Sequence, residues 1–258
     1  MARTRAEWRK WYLGWEHQQQ AFNRNRERRF ARMLDLVAVS LPSRFIVLDL
    51  GSGPGSLALR ILRRFPKARC VAVDYDPVTL RVGRGFLGTF GGRLSWVDAD
   101  LGSPGWDRKL PVPKFDAALS TTALHWLDRP RLGRLYRDLG RRLKRGGIFL
   151  DGDRIPFGET APQLARLVEK LRRRRFGGAS LSAEWWSLSG PWRRWWNAAE
   201  RDPVLGPLFA ERARRGLKHP ERQNVPLSYH LRALKRAGFA PAEIVWRDFE
   251  DSVLYARR

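Results

Sequence analysis

A glycine-rich segment preceded by an acidic residue carries the clearest chemical signal in the sequence. Asp49 ends an apolar run, and the segment Gly51–Gly55 follows with the order Gly-Ser-Gly-Pro-Gly. Glycine permits positive φ and close approach of a ligand to the backbone, and the helix predicted next directs its first N–H groups at that ligand. A P-loop would end in Gly-Lys-Ser/Thr, and a dinucleotide site would have a glycine at Ser56. The segment therefore predicts a ligand-binding site that is neither a P-loop nor a dinucleotide site.

Further acidic and hydroxyl residues follow later apolar runs. Asp74 lies about twenty residues beyond the glycines, where a nucleoside-binding βαβ unit places the carboxylate that accepts from ribose hydroxyls. Asp98 and Asp100 follow the next apolar run, and the segment Ser120–Trp126 follows the one after it. These residues occur in the order expected of a nucleoside-binding sheet.

The elements that must position these residues are indicated by apolar runs and turn signals. Five short apolar runs alternate with helical patterns, which is typical of a parallel sheet covered by helices on both faces. The predicted strands are residues 44–50, 68–74, 93–97, 114–119 and 147–150, with a closing pair at 243–247 and 252–256. The fold class is therefore α/β.

An acid at the end of the first strand followed by Gly-x-Gly-x-Gly resembles the first motif of the class I S-adenosylmethionine (SAM) methyltransferases. The resemblance covers residues 40–155 and the closing pair of strands. It implies a Rossmann-like seven-stranded sheet in the order 3-2-1-4-5-7-6, with the last strand antiparallel, N-terminal helices and a helical cap insertion. It also implies SAM as the cofactor and SAM-dependent methyl transfer as the activity.

The resemblance assigns the glycine segment to the methionine end of the cofactor. It implies that Gly51, Gly53 and Gly55 pass close under the methionine tail and the ribose, with the small Ser52 between them. Asp49 would either orient this loop or accept from the amino group of the methionine moiety, directly or through water. The segment would thus hold the cofactor mainly through its backbone.

The resemblance assigns the next two acidic segments to the adenosine end. Asp74 would accept from both ribose hydroxyls, and Tyr75 would lie against the adenine. Asp100 would accept from the adenine amino group while the Leu101 amide reaches the ring, and Asp98 is the alternative to Asp100.

Methyl transfer is an in-line displacement at carbon, so alignment and water exclusion matter most. The resemblance places Ser120 and Thr121 beside the methionine moiety. A general base is needed only if the acceptor arrives protonated. His125, a few residues after the fourth strand, is the first candidate, and His230, near the start of a later helix, is the second. Each has a structural role as its alternative, and no metal site is expected.

The methyl acceptor is indicated less directly. The segments Val97–Trp106 and Ser120–Trp126 resemble the trans-aconitate methyltransferase branch, which implies a small, acidic or aromatic acceptor. Fifty lysines and arginines against 26 acids give a net charge of +24, which attracts polyanions such as nucleic acid. An RNA or DNA methyltransferase is therefore the alternative. A non-catalytic SAM-fold protein that binds a partner through a tryptophan-rich cap is the second alternative.

The chain is expected to divide into four parts. These are an N-terminal helical cover (1–40), a SAM-binding core (41–152), a helical cap insertion (153–227), and the final helix and strands that complete the sheet (228–258). The first part carries an aromatic stripe and the third an aromatic cluster: Trp8, Trp11, Tyr12 and Trp15, and Trp185, Trp186, Trp192, Trp195 and Trp196. Each set either packs against the core or covers the substrate.

Cysteine usage and apolar patterning bear on the compartment. The single cysteine, Cys70, excludes a disulfide framework, fits a reducing intracellular setting, and lies in the second predicted strand as an inert core thiol. Residues 1–5 are not followed by the apolar region of a signal peptide, and no run reaches the length of a membrane span. We therefore expect a cytoplasmic protein without a transmembrane segment.

Overall fold

The computed structural model describes residues 3–23, 25–157, 161–175, 181–217 and 223–258, with residues 22, 172, 175 and 181–189 described by backbone alone. The helices are α1 (Arg5–Phe22), α2 (Arg26–Ser40), α3 (Ser56–Arg64), α4 (Pro77–Leu87), α5 (Arg129–Arg142), α6 (Pro162–Arg175), α7 (Leu181–Glu200), α8 (Pro207–Arg214) and α9 (Leu227–Arg236). The strands are β1 (Ile46–Leu50), β2 (Arg69–Asp74), β3 (Leu94–Asp98), β4 (Phe115–Thr121), β5 (Leu143–Arg154), β6 (Ala242–Asp248) and β7 (Asp251–Arg257). Two short 3-10 turns span Trp106–Lys109 and Leu124–Trp126.

The strands form one sheet in the order β3-β2-β1-β4-β5-β7-β6, which confirms the predicted fold class and order. β1 to β5 are parallel, and β7 is antiparallel to both β5 and β6, as predicted for the last strand. The register aligns Leu50 of β1 with Val73 of β2 and Ser120 of β4. These three strands therefore end at the same edge, where the predicted ligand-binding residues lie.

Apolar side chains cover both faces of the sheet. On one face, Val47 belongs to a cluster that includes Met33 of α2 and Ile61 of α3. On the other, Leu48 belongs to a cluster that includes residues of α5 and α9. Because successive residues of a strand point to opposite faces, a continuous apolar run such as β1 is buried on both sides. The result is a three-layer arrangement of helices, sheet and helices.

α1 packs against α4 and α7. A Cβ at Gly85 of α4 would lie 2.3 Å from the ring of Trp8, so the absence of a side chain there permits the approach of α1. Trp11 and Trp15 contact Trp195 of α7 edge to face, with ring centroids 5.7 and 5.2 Å apart. Within the aromatic stripe, Trp8 therefore packs against α4, whereas Trp11 and Trp15 contact α7.

Glu16 of α1 joins the two N-terminal helices to the helix that follows the glycine segment. Its carboxylate accepts from both Nη atoms of Arg26 at 2.9 Å and from Arg60 of α3 at 2.8 Å, and it also accepts from the hydroxyl of Ser56. Burial alone would raise the pKa of Glu16, but the hydrogen bonds and charges of the arginines hold it at about 2. The carboxylate is therefore ionised across the physiological range.

Three helix predictions from the sequence pattern were wrong. The pattern predicts a second helix from near Gln18, but Gln18 is buried within α1, which continues to Phe22, and α2 begins at Arg26. The pair Gly190-Pro191 predicts a loop, but Pro191 lies inside α7, whose Trp195 contacts α1. Ser228 is the N-cap predicted for the last helix, but Pro226 occupies that position.

Two observations concern the compartment. Cys70 is buried in β2, and burial raises the pKa of its thiol well above the usual value. Among the described residues, no helix combines the length and the hydropathy that a membrane crossing requires. The tryptophans at positions 185 and 186 belong to α7, but their side chains lie outside the described part of the chain.

Replacement of Glu16 by glutamine is expected to destabilise the fold, because it leaves the buried charge of Arg26 without its main partner. We expect the free energy of unfolding in urea at pH 7 to fall by about 2–3 kcal/mol. Glu27→Gln is the matched control, since Glu27 contacts the same two arginines with a side chain that is 55% exposed, and its loss should cost about 1 kcal/mol or less. Equal losses in the two variants would contradict a special role for Glu16.

Candidate active site

A cavity of about 430 Å³ lies at the carboxyl edge of the sheet. Its floor comes from residues that follow β1, β2, β3 and β4, and its cover comes from α1, α7 and α8 with the segment after it. Lining residues from the floor include Gly51, Ser52, Gly53, Asp74, Tyr75, Asp100, Leu101, Thr121, Thr122 and His125, and those from the cover include Trp15, Trp192, Trp196, Arg212 and Arg215. The structure thus brings most of the predicted site residues together with two sets of tryptophans.

The glycine segment turns sharply between β1 and α3. Gly51, Gly53 and Gly55 have φ values of 67°, 54° and 87°, a region that glycine adopts without strain. A Cβ at Gly51 would lie 2.3 Å from that of Ala123, so this glycine is required by packing as well. A Cβ at Gly53 would meet the ring of Trp15 at 3.5 Å. Gly53 therefore faces the space under the aromatic cover, where a ligand can approach the backbone.

Asp74, at the end of β2, forms hydrogen bonds with the backbone of the glycine segment and of the residues that follow β2. Its carboxylate accepts from the backbone N–H groups of Gly53 at 2.7 Å and of Tyr75 and Asp76 at 2.8 Å. Burial raises the pKa of Asp74 to about 6. The N–H groups of Tyr75 and Asp76 and, at 3.4 Å, the hydroxyl of Thr79 all donate to Oδ1, whereas the N–H of Gly53 donates to Oδ2. Each carboxylate oxygen has about two acceptor sites, so Oδ2 retains one for a donor from a bound molecule. Asp74 lines the cavity, and its contact with both ribose hydroxyls stays a prediction.

Three predicted cofactor residues, Asp49, Gly55 and Ser120, do not line the cavity. Asp49 is 1% exposed, and its carboxylate accepts from the N–H of Ala58 at 3.1 Å, an arrangement that orients the start of α3. Burial, with the nearby charge of Asp74 as a smaller contribution, raises the pKa of Asp49 to about 7. Ser120 is fully buried and donates to the carbonyl of Leu50, so it joins β4 to β1. Its neighbour Thr121 lines the cavity instead.

The two alternative adenine acids have different surroundings. Asp100 lines the cavity, and its carboxylate accepts from the N–H of Gly102 at 2.8 Å and from the hydroxyl of Ser103 at 2.7 Å. Asp98 forms a bidentate ion pair with Arg215, at 2.6 and 2.9 Å. The carboxylate of Asp98 is therefore already paired with an arginine of the cover, whereas that of Asp100 lies at the cavity wall.

Arg215, immediately after α8, was missed by the sequence analysis. Besides its ion pair with Asp98, it donates to the carbonyl of Tyr75 at 2.7 Å, and its guanidinium lies 4.7 Å from the centroid of the Tyr75 ring. Arg212, three residues earlier, pairs with Asp76 at 2.7 Å. These contacts hold the cover over the part of the cavity that Tyr75 and Asp76 line. The arginine-rich sequence contained no signal to distinguish these two arginines from surface arginines.

His125 and Asp153 form a pair at the cavity. Nδ1 of His125 lies 2.8 and 2.9 Å from the two carboxylate oxygens of Asp153, and the two side chains are 8% and 5% exposed. Because an ionised carboxylate only accepts, Nδ1 carries the proton and Nε2 is left as the acceptor. Asp153 was missed because β5 was predicted to end at Leu150, although the strand runs to Arg154.

The second base candidate, His230, lies apart from the cavity, and this expectation is corrected. Its ring is 6% exposed, and Nδ1 lies 2.6 Å from the hydroxyl of Tyr136. Burial lowers the pKa of His230 to about 4. The position of a residue near a helix start does not indicate which way its side chain points, and here it points into the core. Within the described part of the chain, no group of three or more acidic, histidine or cysteine side chains could hold a metal ion.

Comparison with known proteins shows what the central part of the chain is similar to. Residues 47–147 match a family described as a methyltransferase domain. The chain is 34% identical over 165 residues to a trans-aconitate 2-methyltransferase of Azoarcus sp., a match that covers 64% of this chain and 60% of that protein. It is 33% identical over 109 residues to a trans-aconitate 2-methyltransferase of Mycobacterium tuberculosis, which covers 42% of this chain and 36% of the relative. These matches confirm the resemblance to the class I methyltransferases over residues 47–147.

Solved structures agree on the fold. Human N-acetylserotonin methyltransferase, solved in complex with SAM, has a TM-score of 0.52 and 17% identity, and the match covers 93% of this chain and 58% of that one. An O-methyltransferase family protein of Burkholderia thailandensis has a TM-score of 0.53 and 18% identity, with 88% and 55% covered. The resemblance to the trans-aconitate methyltransferase branch is confirmed by the curated relatives, although the chain spans only 60% or less of their length.

The methyltransferase domain supplies only part of the cavity. Its range contains the glycine segment, Asp74, Asp100 and His125, but Asp153 lies beyond its end. The tryptophans of the cover, with Arg212 and Arg215, also come from outside the domain. The partner of the histidine and the whole cover are therefore additions to the domain.

A buried arginine contacts Thr122, a residue close to His125 in the chain. Arg29 of α2 is fully buried, pairs with Asp251 of β7 at 2.8 Å and donates to the hydroxyl of Thr122. A Cβ at Gly152 would lie 2.9 Å from the side chain of Arg29, so this glycine provides the space that the arginine occupies. Thr122, with φ of 56°, lies three residues before His125. Arg29 was also missed, since nothing in the sequence separates it from the arginines around it.

The raised pKa of Asp49 predicts a pH-dependent difference between the wild type and Asp49→Asn. A carboxyl whose folded pKa is raised from 3.8 to about 7 stabilises the fold at low pH and loses this contribution as the pH rises through 7. We expect Asp49→Asn to gain about 2 kcal/mol of unfolding free energy relative to the wild type between pH 5 and pH 8.5. Urea denaturation at both pH values measures this change.

Asp35→Asn is the control, because the side chain of Asp35 is 46% exposed and its pKa is lowered by the hydrogen bond from Arg64. Its difference from the wild type should not grow in the same direction. A difference for Asp49→Asn that stays constant with pH would show that the carboxyl is ionised throughout this range.

Proposed function

We propose that the chain transfers a methyl group from SAM to an oxygen atom of a small molecule. The observation that carries the proposal is that His125, whose Nδ1 is paired with Asp153, lines the same cavity as Gly51, Gly53 and Asp74. The curated relatives are methyltransferases of a small molecule, trans-aconitate, by their names. A base beside the cofactor loop fits an acceptor that must lose a proton as it is methylated.

The residues of the cavity fit SAM. Asp74 retains an acceptor site suited to a ribose hydroxyl, and Gly53 leaves room for close approach to the backbone. Tyr75, Asp100 and Leu101 surround the adjoining part of the cavity, where adenine would lie. The acids also suit a cofactor that carries a sulfonium and an ammonium group. SAM supplies a methyl group on a good leaving group, so the chain need only bind, align and protect.

The aromatic cover would exclude water from the reacting atoms. Trp15 of α1 and Trp192 and Trp196 of α7 line the cavity, and the centroids of Trp15 and Trp196 lie 6.1 Å apart. Their faces would also favour a cationic sulfonium, by about 1–2 kcal/mol where it is desolvated. The N-terminal helices and the cap thus act together as a cover, and we retain the four-part division of the chain as a proposal.

His125 would act as the base through Nε2. Its Nδ1–H donates to Asp153, which fixes the tautomer and would stabilise the imidazolium formed when Nε2 takes the proton of the acceptor. The acceptor class that needs this step is a hydroxyl, such as a phenol. Methylation of a carboxylate would need no base, because the nucleophile is already ionised.

Esterification of a small carboxylic acid is the second candidate, and the names of the curated relatives favour it. A nucleic-acid acceptor rests on the net charge alone and gains no support from these relatives, and we do not retain it. A methyl acceptor found for the chain would remove the non-catalytic alternative. We also propose a cytoplasmic location, which the buried Cys70 thiol supports.

Cofactor binding is tested by calorimetric titration with S-adenosylhomocysteine. We expect binding to the wild type, and Asp74→Ala should weaken it by about 1.5–3 kcal/mol because a charge-assisted hydrogen bond to the ribose is lost. Asp35→Ala, which removes a carboxylate that is 46% exposed and lies outside the cavity, is the control and should bind as the wild type does. An absence of binding at tens of micromolar protein would refute the assignment of SAM.

The role of the histidine is tested by turnover with a panel of phenols and carboxylic acids, using SAM labelled on the methyl group. For a hydroxyl acceptor, His125→Gln should lower kcat by about 10²–10⁴ and Asp153→Asn by a smaller factor, with little change in S-adenosylhomocysteine affinity. His17→Gln, at an exposed position of α1, should have no effect. If only carboxylic acids are methylated and His125→Gln leaves kcat unchanged, the esterification candidate replaces the hydroxyl one.

A further inference from the structure

A second cavity, also of about 430 Å³, lies between α5 and the 3-10 turn Trp106–Lys109. None of its lining residues lines the candidate active site. We call it the arginine pocket, because five arginines and two aspartates line it with Pro104 and Gly105: Arg108, Arg134, Arg137, Arg141, Arg142, Asp107 and Asp138.

Both aspartates of the arginine pocket already have partners. Asp107 accepts from Nε of Arg142 at 2.8 Å, and Asp138 accepts from Arg141 and from the indole N–H of Trp106 at 3.1 Å. The other three arginines that line the pocket have no carboxylate within 4 Å among the described residues. The pocket therefore concentrates positive charge that no described acid neutralises.

The position of these arginines on α5 is not explained by the helix dipole. Arg141 lies in the last turn, where a cation is favourable, but Arg134 and Arg137 lie in the middle of the helix. Arg137 and Arg141 are four residues apart, a spacing at which like charges destabilise a helix. The sequence thus keeps unfavourable neighbours on the face of α5 that borders the pocket, and a bound anion would remove that repulsion.

Arg134 connects the pocket to the loop after β3. Its Nη2 donates to the carbonyl of Gly102 at 2.8 Å, and its Nε is buried without a hydrogen-bond partner in the described part of the chain. The N–H of Gly102 in turn donates to Asp100, which lines the active-site cavity. The guanidinium of Arg134 is therefore held in place at the wall of the pocket, whereas those of Arg108 and Arg137 belong to exposed residues.

We propose that the arginine pocket binds a phosphate group with two negative charges, as inorganic phosphate or as the phosphomonoester of a small molecule. Guanidinium groups match the oxygens of phosphate in geometry and donate two hydrogen bonds at once. A dianion neutralises more than one of the three unpaired cations, and the pocket is lined largely by polar groups. This binding site goes beyond the methyl-transfer function and does not depend on it.

The test is calorimetric titration of the full chain with inorganic phosphate at constant ionic strength. We expect saturable binding to the wild type and at least about tenfold weaker binding to Arg137→Gln, because a charge-assisted contact is lost. Arg137 makes no hydrogen bond or ion pair with other described residues, so this variant should fold normally, which circular dichroism checks. The double variant Arg134→Gln/Arg137→Gln should bind more weakly still.

Two controls remove the same charge elsewhere. Arg145 is exposed outside both cavities, and Arg131 lines the active-site cavity, so Arg145→Gln and Arg131→Gln should each keep the wild-type affinity. Phosphate binding that does not saturate, or that weakens equally in the controls, would overturn the proposal. A single-stranded RNA titration separates the source: RNA binding that is lost in Arg137→Gln, without saturable phosphate binding, would overturn it in favour of a nucleic-acid surface.

Discussion

The carboxylate of Glu16 is the interaction on which the closed cavity depends. It joins α1 to Arg26 of α2 and to Arg60 and Ser56 of α3. Ser56 directly follows the last glycine of the loop, so one buried anion fixes both the N-terminal helices and the segment that a cofactor must approach. Trp15 precedes Glu16 in the chain and is thereby held over the glycine loop. Without Glu16, the buried Arg26 would keep, among the described acids, only the longer contact with the exposed Glu27, at 3.7 Å.

The cavity combines a domain of known kind with elements that lie outside it. The methyltransferase domain positions the cofactor side, because parallel strands end at one edge and the loops after them converge there. Elements outside the domain close the cavity with tryptophans and supply Asp153, the partner of His125. Because the cover lies outside the domain, we propose that the choice of methyl acceptor depends on residues that the domain does not contain.

The sheet order could be predicted because each apolar run, glycine turn and acidic strand end is a local signal. The side-chain partners could not, because they join distant positions: His125 meets Asp153 from the next strand, and Arg215 meets Asp98 from the cap. His230 was misplaced for a related reason, since sequence position did not reveal that it packs on Tyr136 in the core. Prediction therefore succeeded for the strands, the helices and the residues at strand ends. It failed where one charged residue among many forms a specific long-range contact.

Arg29 shows how the excess of arginines contributes to the site rather than only to the surface. A fully buried cation is costly unless it is paired and hydrogen-bonded. The Nη atoms of Arg29 meet this requirement through Asp251 and the hydroxyl of Thr122, whereas its Nε is buried without a partner among the described residues. It occupies the space left by Gly152, whose carbonyl accepts from the N–H of Thr122. Thr122 thus receives one hydrogen bond through its side chain and forms another through its backbone, and these fix its left-handed conformation. Thr122 lies three residues before His125, so a cation that does not itself line the cavity fixes the backbone close to the proposed base.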